Sequence, residues 1–168
     1  MFKKIAAATA LVLASSAAFA AQPNTFYAGA DVGRTKIDGI RDRDTSYGAF
    51  VGYNFHQNFA VEGGYRVLAD KDWNSGAIRA SGKVDQLSLS VIGSLPVSES
   101  FSVYGRLGLN RLEAKATLDN LSAKDSDTKA LYGVGVSYAI TPTVSTRLEV
   151  QKPASGATNL SAGVGFQF

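Results

Sequence analysis

One histidine, no cysteine and a modest set of acids and bases are all that this 168-residue sequence offers to reaction chemistry. A Ser-His-Asp triad or a histidine-held metal would have to pass through His56, because there is no second imidazole and no thiolate ligand. His56 stands between Phe55 and Gln57 in a short polar break, which suits a turn residue better than a general base. Asp42-Arg43-Asp44, Asp70-Lys71-Asp72 and Asp125-Ser126-Asp127 repeat the carboxylate spacing of calcium loops, yet none continues into the required Gly and distant Glu. Gly133-Val134-Gly135 begins like a phosphate-cradling loop, but Tyr138 occupies the third glycine position and no helix pattern follows. The sequence therefore predicts no enzyme, no metal and no cofactor.

A different chemistry is offered by Asp31, Glu62, Arg66, Arg106, Arg147 and Glu149. Each sits in a run where polar or small residues occupy every second place, so all six belong to the polar faces of strands. Three are positive and three negative. If those faces point into a confined space, an unpaired ion would cost several kcal/mol, so the six are expected to form one internal ion-pair network.

The elements that must carry them show a period of two. Alternation runs through 26–33, 47–55, 59–67, 87–95, 101–109, 130–140, 144–150 and 160–168, which predicts eight strands. Most are near the ~10 residues that cross a bilayer at a tilt. Between them His56-Gln57-Asn58, 96–100 and Thr141-Pro142-Thr143 are short, whereas 34–46, 68–86, 110–129 and 151–159 are long and charged, and are expected as loops. Short and long connections in turn describe an antiparallel up-and-down meander, which eight strands can close into a barrel without an edge.

The composition of the two faces decides between a soluble and a membrane barrel. The polar face holds Gly29, Gly33, Gly48, Gly52, Gly64, Gly108, Gly133, Gly135, Gly163 and Gly165, with Ser at 88, 90, 94, 102, 137, 145 and 161. A solvated exterior would carry Lys and Glu instead, whereas small residues suit a narrow interior. The apolar face places Phe26, Phe55, Phe59, Phe101, Tyr138, Phe166 and Phe168 near the short turns and Tyr47, Tyr65 and Tyr132 toward the long connections. Aliphatic Val32, Val51, Leu89, Leu107 and Val164 lie between these groups, as in a lipid-facing band with aromatic girdles. The expected fold class is all-β, an eight-stranded antiparallel up-and-down transmembrane β-barrel. If the barrel is instead a low-conductance pore, the glycines of its inner face would leave water-sized gaps joined past those six charges.

Residues 1–20 have the order of a secretory signal: Lys3-Lys4, an apolar run built largely of Ala, and Ala18-Phe19-Ala20 as a cleavage site. The domain division is thus a signal peptide at 1–20 and the barrel at 21–168. The chain carries 17 Lys plus Arg against 14 Asp plus Glu, and losing Lys3 and Lys4 leaves 15 against 14, too even for nucleic-acid binding. In the long connections, Ile40, Trp73, Ile78, Leu118 and Leu121 are apolar among polar neighbours, suited to packing loop on loop or to docking an outside ligand. Lys36, Arg41, Arg43, Lys71, Arg79, Lys83, Lys115, Lys124 and Lys129 can meet lipopolysaccharide phosphates.

Asn24-Thr25-Phe26-Tyr27-Ala28-Gly29-Ala30 and Tyr138-Ala139-Ile140-Thr141-Pro142 followed by Thr146-Arg147-Leu148-Glu149 resemble the opening and the sixth and seventh strands of the OmpA-like transmembrane domain family. In size and ending the chain is also similar to the short OmpX and Ail group, stopping at Phe168 without a periplasmic peptidoglycan-binding domain. The resemblance implies a barrel in the bacterial outer membrane, its long connections outside the cell and its turns in the periplasm. It implies that Glu62, Arg106, Arg147 and Glu149 fall where relatives carry interior charges thought to gate a narrow path. Asp31, Ile92 and Ser137 stand where that pattern has Lys, Lys and Glu. Leu160, Ala162, Val164, Phe166 and Phe168 look like the C-terminal signal read by outer-membrane assembly machinery. The function expected is a monomeric structural barrel that supports the envelope and displays its loops. A low-conductance channel and a loop-mediated adhesin are the alternatives.

Overall fold

The computed structural model describes residues 22–37, 39, 43–75, 78–118 and 121–168; residues 43, 70–75, 78–81, 115–118 and 121–124 are described by backbone only. The expected signal segment, 1–20, lies outside the described residues. Eight strands follow in order: β1 (Thr25–Ile37), β2 (Arg43–His56), β3 (Phe59–Ser75), β4 (Ile78–Pro96), β5 (Phe101–Leu118), β6 (Leu121–Ala139), β7 (Val144–Ala154) and β8 (Ala157–Gln167). Each pairs antiparallel with the next, and β8 pairs with β1, so the sheet closes on itself. At the seam the Phe26 and Phe168 backbones exchange hydrogen bonds of 3.0 and 2.8 Å. Closure satisfies the ladder groups internally, which is what permits a sheet to lie in hydrocarbon.

The register fixes the shape. Stepping across partners from Thr25 leads through Asn54, Ala60, Ile92, Arg106, Gly133, Gln151 and Asn159 to Thr35, ten residues further along β1. With ordinary strand spacing and rise, that stagger over eight strands tilts them by roughly 40° and gives a backbone radius of roughly 8 Å. A lumen this narrow can be largely filled by side chains.

The period of two sets the faces as expected. Val51, Leu107 and Val164 lie outward with more than half of their surface exposed, and Phe26, Phe55, Phe59, Tyr138, Phe166 and Phe168 form the outward ring at the short-turn end. Short turns are held locally: the Asn58 N–H donates to His56 Nδ1 at 3.2 Å, and the Val144 N–H donates to Thr141 Oγ1 at 3.0 Å.

The long connections differ from expectation. The described residues of segments 68–86 and 110–129 are not loop but continue β3–β4 and β5–β6, paired as far as Ser75↔Ile78 and Leu118↔Leu121. β4 and β5 stay paired up to Ala80↔Leu118, so the four strands form one continuous wall. Segments 34–46 and 151–159 are likewise largely strand, but shorter. Past the membrane both faces of a strand meet water, so apolar–polar alternation disappears while backbone pairing continues.

Candidate functional site

The six expected charges all come from the odd-numbered strands: Asp31 on β1, Glu62 and Arg66 on β3, Arg106 on β5, Arg147 and Glu149 on β7. Their cross-strand neighbours on the even strands are mostly small. Asp31 lies between Gly48 and Gly163, Glu62 between Gly52 and Ser90, Glu149 between Gly135 and Ser161, and Arg147 between Ser137 and Gly163. Large residues therefore alternate with small ones around the wall, and the long side chains have room to reach one another across the axis.

They meet as one alternating chain. Arg66 pairs with Asp31 at 2.7 Å, Asp31 with Arg147 at 3.3 Å and Arg147 with Glu62 at 2.8 Å. Glu62 then pairs with Arg106 at 2.6 Å, and Arg106 with Glu149 at 2.9 Å. Positive and negative charges balance along the whole run. Arg106 is its hub, also donating to Ser90 Oγ at 2.8 Å. Four of its contacts are charge-assisted or fork-like, the geometry for which guanidinium is suited and ammonium is not.

Partners that the sequence did not single out complete the network. Tyr27 donates its hydroxyl to Glu62 at 3.0 Å, and Tyr104 donates to Glu149 at 2.8 Å. Arg147 lies over the Phe50 ring, 3.4 Å from the centroid. Toward the outer end Asn159 accepts from Arg66 and donates to Thr35 Oγ1 and Ser46 Oγ at 3.0 and 2.7 Å. Asn110 donates to the Pro153 carbonyl at 3.0 Å, and Leu131 beside it in the barrel's inner face has no exposed surface. The available signal was register: Tyr27, Phe50 and Tyr104 sit on the glycine-bearing face, where an aromatic has no lipid to meet.

Those three rings fill the space at three of the ten glycines of the inner face. Tyr27 lies over its cross-strand partner Gly52, Phe50 over Gly29, and Tyr104 over Gly135, in each case where a Cβ would have to be. The glycines are sockets for rings. A cavity of about 140 Å³ remains at the short-turn end, lined by Tyr27, Asn54, Ser94 and Ser137 and, further in, by Glu62 and Arg147. A separate pocket of about 20 Å³, beside Asp31, Arg66, Gln86 and Gln151, has room for one water molecule.

Outside the lumen, Leu160, Ala162, Val164, Phe166 and Phe168 all project outward from β8 and its end. Of the basic residues expected at the outer surface, Lys36, Lys83 and Lys129 have described side chains; Arg41 lies outside the described residues, as do the side chains of Arg43, Lys71, Arg79, Lys115 and Lys124. Of the apolar residues in the same region, Ile40 lies outside the described residues, and Trp73, Ile78, Leu118 and Leu121 are placed by backbone only. Beyond the membrane, Lys129 at 2.6 Å holds the Asp127 carboxyl below the usual carboxylate range, and the hydrogen bond to Asp85 raises Lys83. The solvated Lys129–Asp127 pair contributes little to stability.

Known proteins share this architecture. Residues 6–168 match the outer membrane protein beta-barrel domain. The sequence is 32% identical over 196 residues to outer membrane protein A of Salmonella typhi, covering 99% of this chain and 55% of that protein, so the chain spans about half the length of such a relative. Among solved structures, Neisserial surface protein A superposes with a TM-score of 0.66 at 18% identity, covering 86% of this chain and 96% of that one. Ail, the attachment invasion locus protein of Yersinia pestis, does so at 0.61 and 19%, covering 88% and 100%; Ail has also been solved in complex with the heparin analogue sucrose octasulfate.

Proposed function

This chain belongs to the outer membrane protein β-barrel domain family, and from that premise we propose that it is a structural barrel of the bacterial outer membrane, closed to solutes, that holds a rigid sheet outside the cell. One observation supports this: a charge-balanced chain of six acidic and basic residues crosses the lumen, with rings seated in the sockets of Gly29, Gly52 and Gly135 around it. A chain in which every charge has a counter-charge avoids the penalty of an isolated buried ion and offers no free charge to a passing ion. No reaction is assigned to it, since His56, the sole imidazole, serves as acceptor in a turn. The outward residues Leu160, Ala162, Val164, Phe166 and Phe168 serve the assembly machinery during insertion, and lipid afterwards.

Planar-bilayer recording on folded protein tests the reading. A quiet bilayer is expected from the parent, and steps only when the plug is broken, as in Arg147→Ala. Reproducible parent steps that shift in Arg106→Ala or Arg147→Ala would instead establish the low-conductance channel.

A second reading, adhesion, is favoured by the wall of β3–β6. β2 last pairs with β3 at Tyr47↔Val67 and β7 with β6 at Tyr132↔Lys152, so among the described residues the wall continues outward with β3 and β6 as its free edges. Free edges accept added strands, and exposed hairpins carry recognition. Shortening β5–β6 between Ala114 and Asp125 should abolish cell attachment if this holds; unchanged attachment removes it.

A further inference from the structure

The lumen at the short-turn end has two unlike sides. The cavity of about 140 Å³ there is lined by Ala60, Ile92 and Tyr104 on the wall of β3–β5 and by Ser137, Ser145 and Arg147 on that of β6–β7. Ala60, Ile92 and Tyr104 form one buried apolar cluster, with Tyr27 packed against it. The hydroxyls of both tyrosines are given to Glu62 and Glu149, so their rings rather than their polar ends are left for an occupant. The other side is built to donate. Ser137 is the cross-strand partner of Arg147, and Ser145 precedes it by one inward step on β7, so two hydroxyls flank the guanidinium.

Two charged groups line this cavity, and they are not equally covered. The Glu62 side chain is 1% exposed and that of Arg147 12%, so an occupant meets guanidinium and not carboxylate. Glu62 and Asp31 accept from two of the five N–H donors of Arg147, and Phe50 covers one face of its plane, which leaves an edge with donors to offer. The geometry points to a binding site at the short-turn end of the lumen, supplied from the periplasm, for a small organic monoanion. Its carboxylate lies against Arg147, Ser137 and Ser145, held by charge-assisted hydrogen bonds, and its apolar part lies against Ala60, Ile92 and the tyrosine rings. Size and charge limit the class. An apolar cavity of about 150 Å³ accepts benzene, so an occupant of roughly six heavy atoms fits. A dianion would bring its second charge toward Glu62, which stands 2.8 Å from Arg147, and an inorganic ion would leave the apolar side to water.

NMR of the folded, isotope-labelled protein in lipid nanodiscs at neutral pH, titrated with butyrate, tests this, with n-butanol and n-butylammonium as neutral and positive isosteres. One saturable set of shifts is expected for butyrate, at the Arg147 side-chain Nε and the Ser137 and Ser145 amides. The alcohol lacks the charge and should bind at least about tenfold more weakly, and the ammonium should give no saturable shift. Sulfate, a dianion without an apolar part, should not compete. Ser137→Ala/Ser145→Ala should weaken butyrate by about tenfold, and Ser94→Phe, which fills the cavity and leaves the ion-pair chain intact, should abolish its binding. Heat-modifiable gel migration confirms that each variant is folded. No saturable shift with butyrate, equal affinity for n-butanol or sulfate, or undiminished affinity in the double serine variant would each overturn the proposal.

Discussion

Replacing Arg106 by Met removes the hub of the plug while keeping most of its volume. Glu62 retains Arg147 at 2.8 Å, but Glu149, with 2% of its surface exposed, keeps only the Tyr104 hydroxyl at 2.8 Å among its hydrogen-bond partners here. The interior changes from three cations and three anions to two and three, and the surplus charge sits on a carboxylate that does not reach water. Leaving one buried ion unpaired costs about 3–5 kcal/mol, a hundredfold to several thousandfold in the unfolding equilibrium. Urea titration in lipid vesicles, followed by circular dichroism and by gel mobility, measures it. Arg106→Met/Glu149→Gln restores the balance at two and two and should recover most of the loss. Asp127→Asn, which breaks a solvated pair, should have no measurable effect. A shift below about 1 kcal/mol for Arg106→Met, or no recovery in the double variant, would refute the claim that pairing within the lumen stabilises this barrel.

Three further outcomes follow from the packing. Gly52→Ala should destabilise the barrel by about 1–3 kcal/mol, because the nearest atoms to the new Cβ all belong to the Tyr27 ring; Tyr27→Ala should relieve it, as the same urea titration would show. Gly29→Ala should not be relieved by Phe50→Ala, since the Val164 carbonyl oxygen also occupies that space. Leu107→Arg, at a position 69% exposed to the surroundings of the outer wall, should cost about 2–4 kcal/mol in vesicles, and a neutral result would place that face in water.

The membrane-crossing half of the fold was legible because lipid on one side and a crowded lumen on the other force a residue-by-residue contrast. Val51-Gly52-Tyr53-Asn54 displays it, and so does Leu107-Gly108-Leu109. Above the membrane the contrast ends: Lys124-Asp125-Ser126-Asp127 is strand in the structure but has no apolar side, so composition pointed to a loop. The site was legible in part. Six charges on polar faces are visible in the sequence, whereas the pairing of Tyr104 with Gly135 or of Arg66 with Asn159 depends on registers between strands, up to 93 residues apart in the second case. Local patterns carry no record of such registers.

The seam between β1 and β8 joins the earliest strand to the latest. No cylinder exists until the last strand is delivered, so the apolar outer face of every earlier hairpin must wait, unenclosed, through export. Contacts of maximal sequence separation form slowly and leave intermediates prone to aggregation. Until β8 docks, the edge of β1 stays unpaired, so the slowest and most exposed stage of assembly is the one that the topology places last.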